Sequence, residues 1–169
     1  MTDFDVGYLP PQWSNFLSAE VGASAALTGL LFVAVSINLD KIISFPRLVP
    51  RAGKALVTLI AILFAASLCL VPGQPQSLLG FELILLGAIA WIMITRMQQG
   101  HARDNPYMTG GRKVLHGVLA QLSVVPVIVC GASLLFFMGG GLYWLVAATI
   151  VSFASALLDA WVLLIEIQR

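Results

Sequence analysis

Five long apolar stretches, separated by short polar connections, dominate the chain. They cover about residues 16–39, 55–71, 78–95, 117–138 and 142–165. An α-helix rises about 1.5 Å per residue, so a run of roughly 20 apolar residues spans the roughly 30 Å hydrocarbon core of a bilayer. The pattern therefore predicts an all-α integral membrane protein, with five transmembrane helices in a single domain over residues 1–169.

The composition supports the same environment. Hydrophobic residues make up 59% of the chain and charged residues 10%, against roughly 25% charged residues in an ordinary soluble domain. A soluble domain is therefore excluded as the fold class. We expect the lipid bilayer as the main partner and no nucleic-acid partner.

Lysine and arginine residues concentrate in alternate connections. The stretches 41–54 and 96–113 hold four each, the connections 72–77 and 139–141 hold none, and Arg169 ends the chain. Lys and Arg near helix ends are retained on the cytoplasmic side of a membrane. We predict an N-terminus outside, a cytoplasmic C-terminus, and a multi-pass protein of the plasma (inner) membrane of a bacterium.

The first cationic connection also contains apolar residues between its basic ones. Such a mixture is typical of a segment lying on anionic lipid headgroups, and it also suits a plain connector between helices. The apolar members are Ile42, Ile43, Phe45, Leu48 and Val49.

Two acidic residues, Glu20 and Glu82, lie near the predicted outer ends of their helices, and no basic residue is close on that side. An ionisable group inside the hydrocarbon region is costly, so each one is a candidate for function. Carboxylates at matched depth can share a proton, bind a cation, or form a ring across subunits. The alternative is that both reach the headgroups or cap a neighbouring helix.

The first predicted helix separates its residues into two faces when successive positions are advanced by about 100°. A polar arc contains Glu20, Ser24, Thr28 and Asn38. An opposite arc contains small residues, which let another helix backbone approach closely in a membrane. We predict that the small arc is a helix-packing seam, and that the polar arc is either a hydrogen-bonded seam or the wall of a wet path. The small arc consists of Ser18, Gly22, Ala25, Gly29 and Ser36.

Asp159 in the last helix is the strongest single candidate, because it lies one to two turns inside the predicted inner boundary. Lys54, Arg96 and His116 lie at similar depth, each near the predicted cytoplasmic end of its helix. An aspartate paired with a lysine or arginine would be structural. The competing interpretation is a proton or cation relay, in which His116 titrates near neutral pH.

The motifs of common enzymes are missing from the sequence. Cys69 and Cys130 lack the Cys-x-x-Cys spacing of a redox site, and no zinc-protease motif, nucleophile elbow or phosphate-binding loop occurs. We therefore expect no enzymatic activity and no cofactor, while the sequence does not decide whether a metal ion binds.

The run at 22–39, GASAALTGLLFVAVSINL, followed by Arg51 and Ala52, resembles a set of small uncharacterised bacterial polytopic membrane proteins. Some of these carry names suggesting that they modulate a membrane-bound protease. The resemblance implies a membrane role but brings no functional site with it.

Two hypotheses about function follow. The first is a small homo-oligomeric channel or carrier for a cation or proton, whose path uses Glu20, Glu82, Ser24 and Thr28, and then Asp159 with His116. Five helices are few for a carrier built from paired repeats, which favours a pore between subunits. The second is a non-catalytic accessory or assembly subunit, or a modulator of another membrane protein, whose polar stripes bind partner helices.

Overall fold

The computed structural model describes residues 6–45, 48–104 and 110–167, and they fold as helices joined by short connections, with no strand among them. A short 3-10 helix at Pro10–Trp13 precedes the first long helix. The α-helices are α1 (Ser14–Ile37), α2 (Leu39–Ser44), α3 (Val49–Cys69), α4 (Gln76–Asp104), α5 (Gly110–Phe136) and α6 (Tyr143–Ile167).

Four segments are long and apolar enough to cross a membrane: Pro10–Ile37, Val49–Cys69, Gln76–Gln99 and Tyr143–Ile165. The apolar part of α5 that the structure describes, Ala120–Phe136, is shorter than these. The predicted all-helical fold is thus confirmed, and these four segments are compatible with the predicted membrane environment.

Several helices extend beyond the apolar stretches that predicted them. Helix α3 begins at Val49 rather than near residue 55, and α4 continues to Asp104 rather than ending near residue 95. The backbone hydrogen bonds of a helix do not require apolar side chains, and Pro50 fits the first turn of α3 because its missing N–H would have no partner there. Hydropathy therefore located the apolar parts of the helices and underestimated the lengths of α3 and α4.

Helix α3 lies at the centre of the bundle and packs against α1, α4 and α6, while α5 packs against α4 and α6. At one end, called the Leu17 end, the core joins Leu17, Cys69 and Leu142. At the other, called the Leu163 end, it joins Ala52 and Leu163. The start of α3 thus meets the end of α6, and these two helices run antiparallel.

Glycines bring α4 and α5 into close contact. A Cβ added to Gly131 would lie 2.6 Å from the carbonyl oxygen of Gly80, and one added to Gly80 would lie 2.8 Å from that of Gly131. One added to Gly87 would lie 2.6 Å from the Ile128 side chain. Small residues allow this approach, as is usual where lipid removes the hydrophobic drive for helices to associate.

The segment before α1 crosses the connection between α5 and α6. The Leu142 N–H donates to the Gly7 carbonyl oxygen at 2.8 Å, and the Gly140 N–H donates to the Tyr8 hydroxyl at 3.0 Å. The Trp13 ring meets the Tyr143 ring edge-on, with centroids 4.8 Å apart. These contacts tie the start of α1 to the start of α6 at the Leu17 end.

Candidate functional site

A buried ion pair joins α3 to α6 near the Leu163 end of the bundle. Lys54 Nζ lies 2.6 Å from Asp159 Oδ2, and the two side chains are 10% and 5% exposed. Taking two charges out of water is costly, and close pairing is the usual way a protein tolerates it. The structure therefore selects Lys54 as the partner of Asp159 among the cations that the sequence places at similar depth.

The helical phase of α3 explains why Lys54 points inward. Lys54, Thr58, Ala61 and Ala65 recur at spacings of three and four, and all four are buried. A lysine aligned with small residues on one face sits on the packed face of its helix. This spacing is visible in the sequence, and it distinguishes the buried Lys54 from Arg96, which is exposed on α4.

Hydroxyl groups surround the ion pair and continue along α6. Ser155 Oγ lies 3.4 Å from Lys54 Nζ, and Thr58 Oγ1 donates to the Lys54 carbonyl oxygen at 2.8 Å. Ser152, one turn further along α6 from Ser155, donates to the Ser123 carbonyl oxygen at 3.0 Å. All four of these hydroxyl residues are buried. They provide a line of oxygen atoms leading away from the ion pair into the bundle.

The hydrogen bond from Ser152 to Ser123 lies close to a proline inside α5. Pro126 lies inside this helix and has no N–H to donate to the preceding turn. Side chains of neighbouring helices commonly satisfy backbone groups near such a proline in a membrane. The carbonyl that Pro126 leaves without its usual donor is that of Leu122, whereas the Ser152 hydroxyl donates to the neighbouring Ser123 carbonyl oxygen and so links α5 to α6.

The polar arc of α1 faces the interior. Leu17, Ser24 and Leu31 are the buried residues of α1, and the two leucines pack in clusters that include α3. Glu20 and Thr28 lie on the same side and are half-buried. The Ser24 hydroxyl donates to the Glu20 carbonyl oxygen, and the Thr28 hydroxyl donates to the Ser24 carbonyl oxygen at 2.7 Å. Each hydroxyl keeps lone pairs that can accept a further hydrogen bond.

Glu20 is the least compensated acidic group among the described residues. Its Oε2 atom is buried and has no hydrogen-bond partner in the part of the chain that the structure describes. Burial raises the free energy of a charged carboxylate, so a proton, a cation or a donor from another molecule would stabilise it.

Glu82 lies in the second turn of α4, at the same end of the bundle as Glu20. Its Oε2 atom accepts a hydrogen bond from the Gln74 side chain, in the connection between α3 and α4. Within the described ranges, no hydrogen bond or ion pair joins Glu82 to Glu20. That Glu20 and Glu82 act together stays a prediction.

His116 belongs to α5, but its side chain lies outside the part of the structure that is described. Its predicted partnership with Asp159 thus stays a prediction. For metals, no group of three or more histidine, cysteine, aspartate or glutamate side chains converges among the described residues.

The small arc of α1 points away from the rest of the chain. All five of its residues are exposed, and a Cβ added to Gly22 or Gly29 would meet no atom within 4 Å. Within the described chain, α1 therefore packs through its polar arc rather than its small one. The members of this outward face are Ser18, Gly22, Ala25, Gly29 and Ser36.

Comparison with known proteins does not assign the chain to a family. No protein-family model, no curated protein and no solved structure matches it. Its function must be inferred from the buried polar groups themselves.

Proposed function

We propose that the chain is a small homo-oligomeric channel or carrier for a proton or small cation in the plasma membrane. The observation that supports this most is the buried Glu20 Oε2 atom, which has no hydrogen-bond partner among the described residues. The Lys54–Asp159 pair alone suits a structural role, and the buried Ser155 hydroxyl beside it is what a relay would use in addition. Ionisable residues in membrane helices are rare, and they commonly mark ion paths and proton relays.

The proposed topology has five spans, with α5 crossing the membrane as α1, α3, α4 and α6 do. The N-terminus is outside and the C-terminus is cytoplasmic, because Lys and Arg lie in the connections at the Leu163 end. The pair of Lys54 and Asp159 then lies toward the cytoplasm, and Glu20 and Glu82 lie toward the outside.

The proposed path runs inside each subunit rather than between subunits. The polar arc of α1 lies on the same side of that helix as the leucines that pack against α3, and Asp159 contacts Lys54 of α3. Because α3 contacts both polar faces, an opening along it would connect the two groups. This arrangement departs from the pore between subunits that the small number of helices favours.

A proton can pass through the Lys54–Asp159 pair in three steps. A proton arriving at Asp159 forms an O–H bond and neutralises the carboxylate, so the Lys54 ammonium loses its counter-charge. Lys54 then releases a proton toward the next acceptor, for which His116 is the candidate, and the pair is restored when Asp159 passes its proton to Lys54. For a metal cation, the ion instead displaces the ammonium from the carboxylate, and the Ser155 and Ser152 hydroxyls supply further oxygen ligands.

Flux measured in proteoliposomes tests the proposal. We expect proton or cation flux from the wild type, and its loss in Glu20→Gln and Asp159→Asn. Asp40→Asn serves as the control, because Asp40 is exposed on α2. Glu82→Gln shows whether the second outer carboxylate belongs to the path. Equal flux in the wild type, Glu20→Gln and Asp159→Asn would overturn the proposal.

The second candidate is a non-catalytic accessory or assembly subunit, or a modulator of another membrane protein. It is favoured by the outward small-residue face of α1, which has room for a second helix at Gly22 and Gly29. The resemblance of 22–39 to proteins named as protease modulators points the same way. Under this alternative, the purified protein shows no flux, and mild-detergent purification returns a second membrane protein in fixed stoichiometry.

A further inference from the structure

The short helix α2 forms a distinct surface at the Leu163 end of the bundle. It begins after Asn38, where the backbone leaves the geometry of α1. Ile42 is its buried residue and packs in a cluster with Leu48, Ala52 and Leu163. Ile42 holds one edge of α2 against α3 and α6, whereas Leu39 and Ile43 are exposed.

A second edge of α2 is apolar and exposed. Leu39 is 47% exposed and Ile43 61%, and Phe45 at the end of the helix is 45% exposed. Exposed apolar residues extend to the end of α1, where Ile37, two residues before Leu39, is 78% exposed. Since α1 is a membrane-spanning segment, this proximity places the apolar edge of α2 at the boundary of the same bilayer.

The charges around α2 are mainly basic. Residues 39–51 contain three basic residues and one acidic residue, Asp40, so the net charge is +3 − 1 = +2. Lys41 lies on the polar side of α2, and Arg51 lies in the first turn of α3. The third, Arg47, is outside the described residues. Lys54 does not join this group, because it faces Asp159 inside the bundle.

We propose that α2 and the start of α3 bind anionic phospholipid, with the phosphate held by Lys41 and Arg51 and the acyl chains against Leu39 and Ile43. The charge and the exposed apolar edge together specify the ligand. Phosphate is complementary to lysine and arginine donors, and basic segments beside a membrane helix are attracted to anionic leaflets. This binding does not depend on the proposed transport activity.

Native mass spectrometry of the full chain tests the proposal directly. The protein is released from vesicles that contain phosphatidylcholine and phosphatidylglycerol in equal amounts. We expect the wild type to retain phosphatidylglycerol in preference to phosphatidylcholine. The doubly substituted Lys41→Gln, Arg51→Gln protein should lose the preference. Equal retention of both lipids by the wild type would overturn the proposal.

Three further variants locate the site and guard against loss of folding. Lys41→Arg keeps the charge and should keep the preference, and Lys41→Gln alone should weaken it without touching the half-buried Arg51. Arg96→Gln removes an exposed arginine from α4 and should leave the preference unchanged. If Arg96→Gln lowers the preference as much as Lys41→Gln does, the lipid is not held at α2 and the proposal fails.

Discussion

The interior of the bundle and the outward face of α1 use similar residues in opposite ways. Between α4 and α5, Gly80 and Gly131 bring two backbones so close that an added Cβ on either would overlap the other helix. On α1, Gly22 and Gly29 have the same spacing of seven as Gly80 and Gly87, yet nothing in the chain approaches them. A stripe of small residues therefore identifies a face suited to packing, but it does not identify the partner.

The same contrast holds for charged groups. Asp159 has its counter-charge within the chain, whereas the buried Glu20 oxygen on α1 has no partner among the described residues. Substitutions inside should therefore affect folding, and substitutions on the outward face should affect association.

The largest effect is expected from breaking the ion pair. Lys54→Met leaves the Asp159 carboxylate buried without a counter-charge, which should cost about 4 kcal/mol of stability. The double variant Lys54→Met, Asp159→Leu removes both charges and should recover most of the loss. Unfolding in mild detergent measures both, with Asp40→Asn as the exposed control. A full loss in the double variant would show that the charges are not coupled.

A smaller but still severe effect is expected at the seam between α4 and α5. Gly131→Leu forces a side chain into the Gly80 backbone and should cost about 3 kcal/mol through overpacking. The matched control is Gly29→Leu, which introduces the same side chain into open space on α1. Equal destabilisation of the two variants in an unfolding assay would contradict the description of the interior and the outward face.

An intermediate loss of stability is expected where the N-terminal segment crosses the connection between α5 and α6. Gly141 has a φ of +57°, and an added Cβ would overlap the Gly7 carbonyl oxygen. Gly141→Ala should therefore cost about 2 kcal/mol through backbone strain and loss of this contact. Limited proteolysis should then cut the segment before Pro10 faster than in the wild type. Unchanged stability and cleavage would show that the crossing contributes little.

The smallest effect on folding is expected on the outward face of α1. The double variant Gly22→Leu, Gly29→Leu should change stability by no more than about 0.5 kcal/mol, because both sites are open. Its self-association in membranes, measured by energy transfer between labelled copies, should fall. Ala23→Leu places a leucine at an exposed position outside this face and should leave association intact. An unchanged transfer signal in the double variant would show that this face does not join copies of the chain.

The sequence predicted the helices and their membrane character because both depend on local composition and length. It also separated the two faces of α1, since helical periodicity alone determines which residues share a side. Which face packs inside depends on the neighbouring helix, and the polar arc rather than the small one meets α3. The α4–α5 contact was missed, although Gly80 and Gly87 share a face of α4.

The site was predictable only in part for the same reason. Asp159 was identified from its depth in an apolar helix, and Lys54 was one of several cations at that depth. The choice among them required the rotational positions of α3 and α6, which tertiary packing determines. A surface segment at the position of α2 was one of two interpretations that the sequence left open. Five apolar residues among charged ones suit either a segment lying on the membrane surface or a plain connector.

The most direct test of the proposed function is ion flux through a variant whose buried pair is neutral but still hydrogen-bonded. Lys54→Gln with Asp159→Asn replaces two opposite charges by two amides of similar size, so the helices should keep their packing. Proton and cation flux into proteoliposomes should be lost in this variant, while its unfolding temperature stays close to that of the wild type. Flux equal to that of the wild type would show that the pair only holds α3 to α6, and would contradict the account.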